Sequence, residues 1–403
     1  MLAPATHAER CGARAMTIDD LSLMRGGPVY RALHRLGLLH TRGALAPRMA
    51  LAMMALAWLP LVALSARDGA LLPGSVRMPL LADASVYARL MLALPLLVLA
   101  AGPADRLLRS AIRQFGRAGL VPDDKRSKFG AIVTRARRLR DSHVPELLCL
   151  VFALVPALLS HPVLTELPDV SGWHTTADGT PTAAARWAWW VAMPLFRFVC
   201  FVWLWRFLIW TLLLARIAHL GLDLRPPHPD GAGGLGFLGF AQQRFSALSL
   251  AGGVVLSGSC INHFIYSGQT LLDVRYLLAA YVVGTTIVLM APLLLLAPPL
   301  IRAKRHALAK YSALGHRAIR SFDLCWKKGQ MEDDAPSLLD SPQPSALADF
   351  SSVYASLSAM SVVPVTRWNV LWMLQAAALP LLPLIFFGMS VDDLVKKLAS
   401  VLL

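Results

Sequence analysis

The sequence predicts an all-α, polytopic membrane protein of about seven transmembrane helices with helical extensions on the cytoplasmic side. Three observations lead there. Hydrophobic residues make up 56% of the 403 and charged residues only 16%, whereas soluble domains carry about a quarter charged residues. The surplus Leu, Ala and Val falls in runs, and a bilayer-spanning helix needs about 20 mostly apolar residues. The segments between the runs alternate in charge, as the positive-inside rule requires.

The first run, residues 49–66, is uncharged and contains Pro60. The second, 90–104, is short, but Arg89 can snorkel and extend it towards Val86. The third, 147–165, meets only His161 near its end. The fourth, 187–215, is longer than one span needs and carries Arg197 and Arg206. The fifth, 245–272, has no formal charge but holds Asn262 and His263. Runs 276–301 and 368–391 complete the set.

The loops set the direction. Residues 105–143 hold eleven Lys/Arg against four acids, and 302–328 hold eight against Asp323 alone. Residues 161–185 have no Lys or Arg and carry Glu166, Asp169 and Asp178. Basic loops stay inside, which predicts a cytoplasmic N-terminus and a periplasmic C-terminus. The same rule accounts for the net charge of +15 without a nucleic-acid partner. The first 45 residues are polar, with seven Arg between Arg10 and Arg48. That argues against a cleaved signal peptide, so the first span directs insertion.

Helical spacing extends into the basic loops. Leu108, Ala111, Ile112 and Phe115 share a face, and beyond Asp123 and Asp124 so do Phe129, Ile132, Val133, Ala136 and Leu139. The expected organisation is a cytoplasmic segment 1–48 and a membrane domain 49–301 with six spans. That domain includes a cytoplasmic helical hairpin 105–143 and a glycine-rich loop 224–239. A cytoplasmic helical loop 302–367 follows, then 368–403 with the last span and an amphipathic helix (Leu394, Val395, Leu398, Val401 and Leu402 opposite Asp392, Asp393, Lys396 and Lys397). No internal repeat is visible. The five cysteines, Cys11, Cys149, Cys200, Cys260 and Cys325, form no CxxC pair and read as small apolar residues. Neither a metal nor another cofactor is expected.

Polar groups placed where polarity is expensive are the functional candidates. An Arg at the centre of a bilayer helix costs roughly 2.5–3.5 kcal/mol. Arg197 and Arg206 face opposite sides of a straight helix at about 100° per residue. They either line an anion pathway or headgroup site, or are satisfied by a carboxylate, by carbonyls or by snorkelling. In the loop, prolines hold the chain extended before His228 and Asp230, and Gly231, Gly233 and Gly234 permit unusual backbone. Such a loop can aim N–H groups at a phosphate or carboxylate; a tight turn between helices is the plainer reading. It matches neither a Walker nor a Rossmann fingerprint, and His228 with Asp230 falls short of a metal site. Asn262 and His263 read as bridging hydrogen-bonders or as a proton or ion relay.

Three stretches, Arg25 to Tyr30 (RGGPVY), the HPDGAGGLGFLG loop from His228, and Leu347 to Phe350 leading into MSVVPVT at Met360 to Thr366, resemble a family of bacterial multi-pass inner-membrane proteins. The resemblance implies an inner-membrane location and carries no activity or functional residue. The functional expectation is an oligomeric channel or transporter for a small solute, anionic if the arginines line its path. The alternatives are an interaction scaffold that binds anionic lipid headgroups or a soluble partner through its basic loops, and an intramembrane enzyme acting on lipid. Beyond the bilayer, the partners expected are anionic headgroups and further copies of the chain.

Overall fold

The computed structural model describes residues 21–24, 26–27, 45–74, 76–159, 170–176, 178–329 and 343–388. The predicted C-terminal amphipathic helix, most of the N-terminal segment and the loop after Gly329 lie outside them. The described residues are helical apart from turns and two isolated bridges.

Ten helices follow in order. α1 is Leu45–Arg67, α2 is Ala84–Arg117, α3 is Arg126–Asp141 and α4 is His143–Leu159. α5 is Ala183–Ala218, α6 is Phe237–Ser267 and α7 is Leu271–Leu294. α8 is Ala297–Gly329, α9 is Gln343–Ser358 and α10 is Arg367–Phe387. Side chains start several of them. Asp83 caps α2 through Ser85 N and Val86 N, Thr182 caps α5 through Ala185 N, and Thr270 with Asp273 forms a capping box on α7. Each cap satisfies N–H groups that a helix cannot bond internally, which matters most at a membrane boundary.

Six helices are long and apolar enough to cross a membrane, and the pair α3–α4, bent by 43°, supplies up to a seventh. Connectivity assigns that seventh crossing to α4. The loops entering α2 and α5 lie side by side, bridged in parallel at Met78 and Gly172. The far end of α2 is about 50 Å away at about 1.5 Å per residue, so the chain must return before α5 begins. α4 makes the return, touching α5 through Glu146 and Arg206 at one end and through Trp189 Nε1 to Ala157 O (3.0 Å) at the other. Its outward face, including Leu147, Leu148, Val151 and Phe152, is exposed and apolar, as lipid contact allows.

The overlong run at 187–215 is one helix within α5, whose 36 residues reach well past the bilayer. The structure also reveals a doubling that is hidden in the sequence. α1 and α4 each have a proline near their start (Pro47, Pro145) and a second further on (Pro60, Pro156). α2 and α5 each begin with a capping side chain, pass through a π-helical turn (Ala88–Ala93, Ala188–Ala192), and meet a proline at once (Pro95, Pro194). The two hairpins share these local features.

Small residues set the packing. On α5, Ala184, Ala185, Ala188 and Ala192 share a core with Ala57 and Leu61 of α1 and with Leu90 and Leu94 of α2. A Cβ on Gly258 of α6 would sit 2.5 Å from Ala88 Cβ and 2.8 Å from Ala84 O, so only glycine allows α6 this close to α2. At the basic end, Phe115, Phe129, Trp210 and Phe245 join the long core that continues α2, α3 and α5 beyond the bilayer.

The end away from the basic loops is locked by Asp83, which is buried. Its Oδ1 accepts Asn262 Nδ2 (2.8 Å), and its Oδ2 accepts Trp173 Nε1 (3.0 Å). Asn262 Oδ1 accepts from Ala84 N at 3.0 Å. One carboxylate thereby joins α2, α6 and the loop before α5. Asp83→Ala removes a charged acceptor and leaves buried donors empty, which costs about 3 kcal/mol; thermal unfolding in detergent should show a lowered midpoint, with Asp83→Asn less affected.

Candidate functional site

Arg206 lies about 13 Å further along α5 than Arg197 at about 1.5 Å per residue, at the basic end of the bundle, and is 2% exposed. Its Nη2 donates to Gly26 O (2.8 Å) and Glu146 Oε1 (3.3 Å), and its Nη1 donates to Arg140 O (3.3 Å). Arg140 is held in turn by Asp141, at 2.8 Å and 2.6 Å, and by Ser22 O. Asp105 on α2 accepts from Ser22 Oγ (2.6 Å), Met24 N (2.9 Å) and Arg109. Residues 21–24 and 26–27 thus lie among α2, α3, α4 and α5.

Glycine is required there. Gly26 and Gly27 have φ of +133° and +103°, and a Cβ on Gly27 would stand 1.9 Å from Glu146 Oε1. Arg140, which the sequence offers with Arg135, Arg137 and Arg138 as a surface for an anionic partner, is instead buried and engaged by Asp141 and Ser22 O. Glu146 and Asp105 were not among the residues singled out from the sequence. Glu146 leaves a trace there, as the one acid in an apolar run that opens at Pro145.

Arg197 differs. Its Nη1 is buried with no hydrogen-bond partner, and no ion pair reaches it among the described residues. The charge nearest in effect is another cation, Arg89 on α2, which donates to Ser85 Oγ (2.7 Å) and Ser259 Oγ (3.3 Å). Its neighbours on α5, Phe196, Cys200 and Leu204, line an almost wholly apolar cavity of about 610 Å³ with Leu248 and Val255 of α6 and Tyr281 and Thr285 of α7. Arg197 is next in sequence to this lining but is not itself part of it.

In the fifth span, Asn262 is the bridge to Asp83 described above. His263 reaches only Ser267 Oγ, one turn on at 3.3 Å. The structure does not bring Arg197, Arg206, Asn262 and His263 together as one cluster.

The glycine-rich loop binds a carboxylate, and it is the loop's own. Asp230 Oδ1 accepts Ala232 N (2.9 Å) and Gly234 N (3.1 Å), and Oδ2 accepts Gly236 N (2.8 Å). His228 Nδ1 lies 2.9 Å from Oδ1. The N–H groups that could cradle a ligand are already used. Gly231, Gly233 and Gly234 have φ of +62°, +64° and +95°, conformations that side chains resist. The loop then docks on the turn at Met360 to Thr366 through Ser361 N to Gly231 O (2.8 Å). Two of the three stretches that carry the family resemblance therefore meet here. Among the described residues no group of three His, Cys, Asp or Glu could hold a metal.

No family model, curated protein or solved structure matches the chain. The site is read from its own geometry.

Breaking the Arg206–Glu146 pair from one side strands a buried charge, at about 3–5 kcal/mol. Arg206→Met and Glu146→Gln should each lower the unfolding midpoint strongly, and the double variant should recover most of the loss in a double-mutant cycle.

Asp230 follows a different rule. Burial alone raises its carboxyl, but the N–H groups of Gly236, Ala232 and Gly234, with His228, outweigh burial and hold it below the ordinary value of 3.8. A depressed acid stabilises the fold fully above its unfolded value, and that contribution is lost as pH falls through the folded value. Hydrogen exchange in 228–239 should stay slow from pH 7 to pH 5 and quicken below about pH 4. Asp230→Ala should quicken it at every pH, at a cost of about 2 kcal/mol.

Proposed function

We propose that the chain is a membrane transport protein for a small anion with an apolar part, set in a bacterial inner membrane with its basic end in the cytoplasm. The observation that carries this reading is Arg197, half-buried in α5 with its Nη1 buried and unpartnered, next in sequence to Phe196 on the lining of an apolar cavity of about 610 Å³. A cation in hydrocarbon without a carboxylate is costly, and intramembrane ionisable groups of this kind mark solute paths. An anion whose charge meets Arg197 and Arg89, and whose apolar part fills the chamber, satisfies both surfaces. Discontinuous helices support the same reading, since π-helical turns followed by Pro95 and Pro194 interrupt α2 and α5. So does the doubled hairpin, because transporters are often built from repeated halves. The orientation rests on the basic loops.

A second reading is favoured by the outer face of α3, where Arg135, Arg137 and Arg138 are exposed. They would present a cationic surface to an acidic partner or to anionic lipid.

Proteoliposomes loaded with octanoate, with chloride as the wholly polar comparison, separate the two. Octanoate efflux should fall at least tenfold in Arg197→Gln and recover in part in Arg197→Lys. The same Arg197→Gln protein should unfold at an equal or higher temperature, because an unpaired buried charge has been removed. Efflux untouched by Arg197→Gln, or a glutamine variant that merely unfolds, sinks the transport reading and leaves the cationic-surface one.

A further inference from the structure

A second cavity, remote from Arg197, lies at the basic end and is open to solvent. It holds about 600 Å³ between the extended segment Asp223 to His228 and the first turns of α8. Ala303, His306, Ala307, Lys310 and Tyr311 recur at helical spacing, so one face of α8 forms a continuous wall. Opposite it, Pro226 and Pro227 stiffen the chain. Both walls are braced from behind. Arg225 N bonds to Gly233 O at 3.2 Å, His228 is held by Asp230, and Tyr311 stacks on Phe350 of α9 at 6.2 Å. The tight bonding of the glycine-rich loop therefore serves to hold one wall of this groove.

The chemistry of the lining is specific. Lys310 supplies a fixed positive charge, Arg225 a guanidinium shared with Asp223, and His228 and His306 ring nitrogens. Asp223 is the one acid on the lining, and it is already engaged with Arg225 at 3.1 Å. Nearby on α8, Arg302 and Arg305 are exposed and add to the field. Guanidinium and ammonium groups together suit a phosphate, which takes several charge-assisted bonds at once. The volume exceeds what inorganic phosphate needs and falls in the range of small-molecule sites. Pro226, Pro227, Ala303, Ala307 and the Tyr311 ring offer apolar contact for an attached organic part. α8 starts directly after α7 leaves the bilayer, so the groove can be reached from a lipid headgroup layer and from bulk solvent.

We propose that this groove binds a phosphate ester. The site uses no residue of the transport reading and stands or falls separately from it. The test is calorimetric titration of the full-length protein in neutral detergent with glycerol 3-phosphate and with dihexanoylphosphatidylglycerol. At least one should bind, and Lys310→Ala and His306→Ala should each weaken it about tenfold, with Lys310→Arg restoring most of the affinity. Arg317→Ala, an equal change of charge on an exposed part of α8 outside the groove, should leave binding intact. Binding of the lipid alone identifies a headgroup site, and binding of glycerol 3-phosphate identifies a soluble ester. If neither probe binds, or if Arg317→Ala weakens binding as much as Lys310→Ala does, the proposal is wrong.

Discussion

Two buried carboxylates on one helix organise this protein. Asp83 caps α2 and ties it to Trp173 and Asn262, and Asp105 ties the same helix to Ser22 and Met24. They stand about 33 Å apart at about 1.5 Å per residue, close to the roughly 30 Å of a bilayer's hydrocarbon. Polar bonding is strongest in effect where water is scarce and an unmade bond is most costly. One such knot at the start of α2 and a second about two thirds of the way along it fix the register of the helices against it. Between the knots, packing is left to alanines and glycines such as Ala88, Ala188 and Gly258, which let backbones approach.

The same logic separates the two arginines of α5. Arg206 sits at the level of the basic knot, where it donates to Glu146, to Gly26 O and to Arg140 O. These bonds tie α5 to α3 and α4. Arg197 lies inside the bundle, where no such partner reaches it among the described residues. The π-helical turns of α2 and α5, at Ala88–Ala93 and Ala188–Ala192, interrupt both helices.

The helical membrane class was legible from composition and apolar runs, because burying 56% hydrophobic residues in this pattern has no soluble solution of the same length. Six of the seven runs correspond to helices long and apolar enough to cross a membrane, and the seventh rests on the bent α3–α4 pair; loop charge offered the only handle on direction. The hydrogen-bonding role weighed for Asn262 in the sequence is the one its geometry shows. The partners of Arg206 were less visible. Glu146 and Gly26 are 60 and 180 residues away in sequence, and no local pattern encodes a contact at that distance. The doubled hairpin escaped notice for a related reason. It is carried by capping and proline positions whose neighbours differ, so it shows in backbone geometry and hardly at all in residue identity.

The glycine-rich loop marks the boundary between the two kinds of knowledge. Its prolines and glycines determined that the backbone would turn tightly and could gather N–H groups around an anion. Which anion was a tertiary matter. Asp230 folds back into the nest and satisfies it, and the freed surface appears instead on the far side, facing α8. By itself the sequence determined what is apolar, where chains can turn and how charge is distributed along the membrane axis, since these depend on residue type and near neighbours. Only the tertiary structure decided which charges neutralise one another and which remain, because that depends on distances between segments far apart in the chain.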